Sequence, residues 1–200
     1  IASGKISIFL GSIYAIILCL LAFIVLINFN FITIIFAIAS MPLAFAYPLM
    51  KRFTYWPQLF LGITFNYGLL LGWISIHESI SLAPILFYLG AIFWTLGYDT
   101  IYGYQDIKDD EIIGVKSTSI KFKDDPKTIL YLFYLITSLS LVCLGYLMKL
   151  NYIYFIFLIL PLLHFFVYQI GKLDIKSPSN CLKIFKSNNF LGLIIFLNLL

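Results

Sequence analysis

The chain has 200 residues, of which 62% are hydrophobic and only 11% are charged, and its formal net charge is +4. A soluble domain carries about 25% charged residues, and a single globular core could not hide this much apolar surface. The composition therefore excludes an ordinary soluble protein and predicts an all-α, polytopic membrane protein.

Hydropathy predicts seven membrane-spanning helices, each close to the roughly 20 residues that a bilayer requires. In chain order they are Ile6–Ile27, Phe31–Met50, Pro57–Ile76, Leu82–Tyr104, Ile129–Lys149, Tyr152–Ile170 and Phe190–Leu200. Short turns alternate with longer charged loops along this series. We therefore expect residues 1–200 to form a single transmembrane helical bundle.

The basic residues predict the orientation of this bundle. Of the 13 Lys and Arg residues, all but Lys149 fall on one side of the predicted spans. These are Lys5, Lys51, Arg52, Lys108, Lys116, Lys121, Lys123, Lys127, Lys172, Lys176, Lys183 and Lys186. Positive charge marks the cytoplasmic side, so we expect the long loops, and any chemistry they carry, to face the cytoplasm.

The segment Tyr98–Thr118 is the most acid-dense stretch of the chain. At about 100° per residue, Asp99, Asp106 and Asp110 fall within roughly 40° of one helix face, with Tyr102 beside them. Clustered carboxylates repel one another and need a cation, and oxygen ligands without nearby His or Cys favour Mg²⁺. The alternative interpretation is a solvated loop of mixed charge.

The rise of a helix divides this cluster into two parts. Asp106 and Asp110 are one turn apart and can share a metal site, whereas Asp99 lies about 10 Å deeper in the membrane. Because one metal cannot reach all three, we assign metal binding to the first pair and expect Asp99 to lie near an organic substrate. Asp109 and Glu111 point elsewhere and are expected either to be solvated or to support the metal ligands without binding the metal.

Two basic segments are candidates for anion binding. Lys51 and Arg52 lie in YPLMKRFTYWPQ, where Arg suits a carboxylate or phosphate and Lys suits a phosphate. Their position alone favours an ordinary interfacial anchor. Lys116 lies in GVKST just after the acidic stretch, where a glycine, a cation and hydroxyls could contact phosphate oxygens. That segment does not match the phosphate-binding loop pattern of nucleotide-binding proteins.

Together these segments resemble motifs of the UbiA family of membrane prenyltransferases, and most closely its 4-hydroxybenzoate polyprenyltransferase branch. IASGKIS is similar to the family's A-S-G-x-[IL]-S loop. YPLMKRFTYWPQLFLGITFNYG resembles its Y-P-x-x-K-R-x-T-x-x-P-Q-x-x-L-G signature, and DTIYGYQDIKDDEIIGVKSTSI resembles its second aspartate-rich motif followed by G-x-K-S. The three motifs occur in order between residues 2 and 120.

The resemblance implies a prenyl transfer reaction. Asp106 and Asp110 would bind Mg²⁺ that neutralises the diphosphate of a polyprenyl substrate, with Lys51 and Lys116 as further substrate-binding residues. The allylic group would then alkylate 4-hydroxybenzoate ortho to its phenol oxygen, in ubiquinone biosynthesis. The implied partners are polyprenyl diphosphate, 4-hydroxybenzoate and the lipid bilayer, with no nucleic acid.

The same resemblance assigns the residues around the aromatic substrate and the location. Arg52 would bind the carboxylate of 4-hydroxybenzoate, while Asp99 and Tyr102 would orient or polarise its phenol as catalytic residues. The expected location is a bacterial or mitochondrial inner membrane. The active site would then face the cytoplasm or the matrix.

One feature of the family is missing from the sequence. The family has nine helices and a first aspartate motif, N-D-x-x-D-x-x-x-D, just before the A-S-G loop, and this motif does not occur in the 200 residues. We therefore expect a prenyltransferase domain that lacks the first two helices and has impaired activity. The alternatives are another aromatic or haem prenyltransferase of the superfamily, an ion-binding membrane protein, or an inactive remnant.

Overall fold

A computed structural model describes residues 6–200, and every regular element within this range is a helix. The helices are α1 (Ile8–Leu26), α2 (Phe31–Ala46), α3 (Met50–Phe53), α4 (Pro57–Phe65), α5 (Tyr67–His77), α6 (Leu82–Gly103), α7 (Ile107–Ile113), α8 (Thr118–Lys121), α9 (Pro126–Leu147), α10 (Tyr152–Phe157), α11 (Ile159–Leu162) and α12 (Pro178–Leu199). A 3₁₀ turn, Tyr47–Leu49, joins α2 to α3, and a π-helix, Leu163–Ile170, follows α11. The all-α prediction is confirmed. Lys5 and the start of IASGKIS lie outside the described residues.

Six helical segments within residues 6–200 are long and apolar enough to cross a membrane. They are Ile8–Leu26, Phe31–Phe53, Pro57–His77, Leu82–Gly103, Pro126–Leu147 and Tyr152–Ile170. These segments match the first six predicted spans to within a few residues at each end. The agreement follows from the bilayer itself, because a spanning segment must be both apolar and helical to satisfy its backbone.

The seventh predicted span, Phe190–Leu200, has a different outline in the structure. It forms the apolar second half of α12, which begins at Pro178 and whose first half carries Lys183 and Lys186. The Ser177 hydroxyl caps this helix by accepting the Asn180 N–H. Because the helix starts in a polar segment, hydropathy recognised only its later part.

The core of the bundle forms around α6. This helix contacts α4, α9 and α12, whereas α1 has no buried residue. Two glycines allow the close contact with α9: the Gly90 carbonyl accepts the Thr137 hydroxyl at 3.1 Å, and Gly97 lies against the ring of Tyr134. Small residues at such contacts let membrane helices approach closely. The central position of α6 fixes where its C-terminal end, which carries Asp99, can lie.

A buried polar network joins α6 to the later helices. Trp94 Nε1 and Gln169 Nε2 both donate to Asn188 Oδ1, at 2.8 Å and 3.0 Å. The Tyr134 hydroxyl donates to Gln169 Oε1 at 2.7 Å. The network therefore includes side chains from α6, α9, the π-helix and α12, and it holds these elements in one register because buried polar groups need partners.

The contact at Gly97 predicts a large effect of one added methyl group. A Cβ at this position would lie 2.9 Å from Tyr134 Cζ, so Gly97→Ala must displace the ring that anchors Gln169. We expect the free energy of unfolding in detergent micelles to fall by about 1–3 kcal/mol. The matched control is Gly72→Ala, where nothing lies within 4 Å. Equal stability of the two variants would contradict the close contact.

The polar network predicts a second stability effect. Asn188→Leu removes the acceptor of the Trp94 N–H and one acceptor of the Gln169 amide. A buried donor left without a partner costs about 1–3 kcal/mol, so the midpoint of denaturation should fall by a corresponding amount. Asn189 is exposed, and Asn189→Leu should leave the midpoint nearly unchanged. A stable Asn188→Leu protein would show that the network does not hold the helices.

Candidate functional site

A small cavity lies where the last turn of α6 meets α3, α4 and the start of α7. Its volume is about 130 Å³. It is lined by Tyr47, Lys51, Pro57, Gln58, Asp99, Tyr102, Gly103, Asp106 and Asp110. We call it the acid cavity. It brings together five residues singled out in the sequence, namely Lys51, Asp99, Tyr102, Asp106 and Asp110.

The helical spacing of the acidic residues was predicted on the assumption of one continuous helix. In the structure the acidic stretch is divided between two helices. α6 ends at Gly103, and α7 starts after Asp106, which is its N-cap residue. The one-turn spacing of the predicted metal pair persists nevertheless, because the Asp110 N–H donates to the Asp106 carbonyl at 2.9 Å. The break allows Asp106 and Asp110 to line the same cavity as Asp99 although they belong to a different helix.

The segment after α7 is hydrogen-bonded to the basic segment that contains Lys51. Gly114 ends α7 with φ +77°, a left-handed conformation that favours glycine. Two residues later, the Lys116 N–H donates to the Lys51 carbonyl at 2.8 Å. Ser117 then caps α8 by accepting the Ile120 N–H. These contacts place α3, which carries Lys51, beside α7 and its carboxylates.

The three cavity carboxylates have no side chain of residues 6–200 bonded to them, although Lys51 lines the same cavity. Within residues 6–200, Asp99, Asp106 and Asp110 accept no side-chain hydrogen bond and form no ion pair; the one ion pair found there joins Lys123 Nζ to Glu111 Oε1 at 2.7 Å. The hydrogen bond to Glu111 raises the pKa of Lys123. Unpaired carboxylates around one cavity leave their oxygens available to a ligand.

The donor set of the acid cavity fits a hard divalent cation. Asp106 and Asp110 offer carboxylate oxygens, which Mg²⁺ prefers, and neither oxygen pair is used by another side chain of the described residues. No group of three or more His, Cys, Asp or Glu side chains within residues 6–200 converges as a complete metal site. A cation held by this pair would therefore complete its coordination with oxygens of water or substrate.

The other two basic candidates lie outside the acid cavity. Arg52 is exposed and does not line it. The Lys116 ammonium donates to the Phe53 carbonyl at 3.4 Å and lies 5.6 Å from the centre of the Tyr55 ring. The structure thus brings Lys51 to the acidic residues and leaves Arg52 and Lys116 outside the cavity wall.

Two polar residues of the cavity, Tyr47 and Gln58, were not predicted from the sequence as site residues. Tyr47 belongs to the 3₁₀ turn, and Gln58, which is only 4% exposed, lies in the first turn of α4. Both belong to the segment YPLMKRFTYWPQ that was examined for its lysine and arginine. The available signal was a polar glutamine directly after Pro57, at the start of an apolar helix, where a buried amide needs a partner.

A larger cavity lies deeper along α6. Its volume is about 390 Å³. It is lined by Phe65, Asn66, Trp94, Thr95, Tyr98, Phe185, Asn188, Asn189 and Gly192. Thr95 lies one helical turn from Asp99, so this cavity is the next space below the acid cavity. Its aromatic and amide lining suits an organic group better than an ion.

Comparison with known proteins places this geometry in a family. The sequence profile of the UbiA prenyltransferase family matches residues 1–200. The mitochondrial 4-hydroxybenzoate polyprenyltransferase of Drosophila melanogaster is 41% identical over 200 residues, which are 100% of this chain and 51% of that protein. The Bos taurus protein of the same name is 42% identical over 200 residues, covering 100% of this chain and 54% of that protein.

A plant relative and a solved structure agree with these matches. The 4-hydroxybenzoate geranyltransferase 2 of Lithospermum erythrorhizon is 42% identical over 178 residues, covering 88% of this chain and 58% of that protein. A solved structure of digeranylgeranylglyceryl phosphate synthase has a TM-score of 0.68 and 20% identity, covering 99% of this chain and 71% of that chain. This likeness shows the fold.

The chain spans about half the length of the curated relatives it matches. The family profile nevertheless covers all 200 residues, and the chain is 41–42% identical in sequence to these relatives. The helical membrane fold and the acid cavity at the end of α6 are consistent with that match. The chain belongs to the UbiA prenyltransferase family.

Proposed function

We propose that the protein carrying this chain transfers a polyprenyl group from polyprenyl diphosphate to the ring of 4-hydroxybenzoate, ortho to the phenol, in ubiquinone biosynthesis. The observation that carries the proposal is the acid cavity, where three unpaired carboxylates and Lys51 meet at the end of a membrane-spanning helix. Such a site suits a metal-bound diphosphate whose hydrocarbon tail stays in the bilayer. The names of relatives at about 40% identity support the choice of 4-hydroxybenzoate.

In this proposal the carboxylates have separate roles. Asp106 and Asp110 would hold Mg²⁺, which when bound would neutralise the diphosphate and stabilise it as a leaving group. Lys51, the cation that lines the cavity, would bind a phosphate oxygen. Lys116 lies outside the cavity wall and would join it only by leaving the Phe53 carbonyl. These residues draw negative charge away from the allylic carbon.

The organic substrate would lie deeper. The bond between prenyl C1 and the diphosphate oxygen breaks, a bond forms between C1 and the ring carbon, and that carbon gives its proton to an oxygen base. Asp99 and Tyr102 line the acid cavity and would orient the phenol as catalytic residues. Arg52 would bind the aromatic carboxylate. The aromatic-lined cavity below Asp99 supports a place for an organic group there.

The distribution of charge supports an orientation for this site. The acid cavity lies beside Lys51 and Lys116, on the side of the bundle where basic residues gather. Under the positive-inside rule, the cavity would face the cytoplasmic or matrix side of a bacterial or mitochondrial inner membrane. Prenyl diphosphate and 4-hydroxybenzoate would reach it from that compartment.

An ion-conducting protein would use acidic residues differently. It would carry them at several depths and on several helices along a pathway. Among the six membrane spans within residues 6–200, Asp99 is the single acidic residue. This favours a localised site at one end of the bundle over an ion pathway.

The metal pair is tested by isosteric substitution. Asp106→Asn and Asp110→Asn remove one anionic ligand each, and the loss of several kcal/mol of charge stabilisation should lower kcat/KM by roughly 100-fold or more. The measurement is Mg²⁺-dependent conversion of 4-hydroxybenzoate in membranes containing the protein. Asp109→Asn, in an exposed residue outside the cavity, is the control and should keep wild-type activity. Near-normal turnover of both pair variants would contradict the metal role.

The proposed binding of the 4-hydroxybenzoate carboxylate is tested by substitutions at Arg52 and Lys51. If Arg52 binds it, Arg52→Ala should raise the KM for 4-hydroxybenzoate by about 10-fold, the loss expected for a charge-assisted hydrogen bond, with little change in kcat. An unchanged KM would remove Arg52 from this role. Lys51→Ala is the matched comparison, because Lys51 lines the cavity and Arg52 does not. A raised KM for 4-hydroxybenzoate in that variant alone would transfer the role to Lys51.

A further inference from the structure

Gln58 is held in the wall of the acid cavity in a defined orientation. Its Oε1 accepts the Thr118 N–H at 2.9 Å, and its side chain is only 4% exposed. A backbone N–H donates, so the atom that faces Thr118 must be the amide oxygen. The amide nitrogen therefore points away from Thr118, and both of its N–H donors need acceptors elsewhere.

These donors form no hydrogen bond within residues 6–200. Gln58 nevertheless lines the cavity together with three carboxylates. The Gln58 side chain is held in the cavity wall by its oxygen, so its amide nitrogen cannot turn towards Thr118. A fixed donor that opens to a cavity and has no partner among residues 6–200 is available to a ligand atom that accepts from it.

The position of Nε2 indicates that the donors lie near the mouth of the cavity. This atom is 3.6 Å from the place where a Cβ on Gly103 would lie. Gly103 is the last residue of α6, one turn above Asp99 and next to the segment that leads to Asp106. The donors are thus closer to the level of the metal pair than to the deeper place assigned to the aromatic ring.

The donors and acceptors in the cavity wall indicate which kind of ligand it binds. Asp99, Asp106 and Asp110 supply acceptors, while Lys51 and Gln58 supply nitrogen donors. At the mouth of the cavity the Gln58 amide could donate to a phosphoryl oxygen. Because the amide is neutral, it would do so without adding a charge to the cavity wall. An amide is suited to this place because a glutamate there would add a fourth carboxylate to the cavity wall.

We propose that Gln58 Nε2 donates a hydrogen bond to a phosphoryl oxygen of the prenyl diphosphate, while the Thr118 N–H holds the amide in position through Oε1. This rests on the proposed function for the identity of the ligand. Gln58 then has two separable roles: it positions the segment that follows Lys116, and it contacts the substrate. The two roles use different atoms of one side chain.

Three variants separate the roles. Gln58→Glu keeps an oxygen for the Thr118 N–H but has no amide donor, and Gln58→Met, which is neutral, has neither. Thr118→Pro removes only the backbone donor and the Thr118 hydroxyl. Proline suits that position because Thr118 is the first residue of α8 and Ser117 is extended, with φ −152° and ψ 161°.

The readout is the affinity of the purified, intact protein for inorganic diphosphate in the presence of Mg²⁺, measured by calorimetry. We expect Gln58→Glu and Gln58→Met each to weaken binding by about 10-fold or more, as for the loss of a charge-assisted hydrogen bond. Thr118→Pro should weaken binding less than either Gln58 variant, because it keeps the amide donors and removes only the N–H that orients them. Thermal unfolding of each variant confirms that it folds.

Other outcomes overturn the proposal. If Gln58→Glu binds diphosphate as tightly as the wild type, the amide donor makes no contact with the ligand and Gln58 acts only through Thr118. Equal losses of affinity in Thr118→Pro and Gln58→Met would complete that result. A rise in the KM for 4-hydroxybenzoate without a change in diphosphate affinity would place the amide at the aromatic substrate instead. If Thr118→Pro does not fold, the comparison of Gln58→Glu with Gln58→Met still decides.

The proposed function is judged separately, by whether the wild-type protein converts 4-hydroxybenzoate with a polyprenyl diphosphate. Loss of diphosphate affinity in both Gln58 variants, in a protein that does not prenylate 4-hydroxybenzoate, would support the contact and reject that acceptor. Turnover by the wild type with full diphosphate affinity in Gln58→Glu would keep the function and reject the contact.

Discussion

Carboxylates without partners can be tolerated only at the end of a membrane helix, and the arrangement of the bundle follows from this constraint. The bilayer core accepts neither an unsatisfied backbone nor an unpaired charge at low cost. α6 therefore runs unbroken from Leu82 to Gly103 and packs against α4, α9 and α12, with Asp99 in its last turn. Only beyond Gly103 does the chain break its helix and present Asp106 and Asp110.

The acid cavity depends on short segments that hold complementary groups around this helix end. α3 contributes Lys51 and α4 contributes Gln58, and the Lys116 and Thr118 N–H groups tie these two helices to the start of α8. These ties use backbone donors, so the cavity carboxylates stay available. The close contact at Gly103, where a Cβ would collide with the Ser119 hydroxyl, lets α8 approach the wall. Structural and ligand-binding groups are thereby kept apart.

Much of the membrane architecture could be predicted from local sequence. Six spans were located to within a few residues, because hydropathy and length reflect the bilayer directly. The seventh was predicted too short, since the polar first half of α12 is held by Ser177 and by packing of residues such as Cys181 and Ile184. The break between Gly103 and Asp106 could not be predicted, because helical periodicity assumes that the helix continues.

By itself the sequence determined that the chain crosses a membrane, that its acidic residues gather between Tyr98 and Thr118, and that basic segments lie on the same side. These properties are local, since they depend on composition and spacing. Only the tertiary structure decided that Lys51, and not Arg52 or Lys116, lines the acid cavity, and that Gln58 does so too. Gln58 meets Thr118 across 60 residues of chain. Such contacts depend on how helices pack, which periodicity within one segment cannot specify.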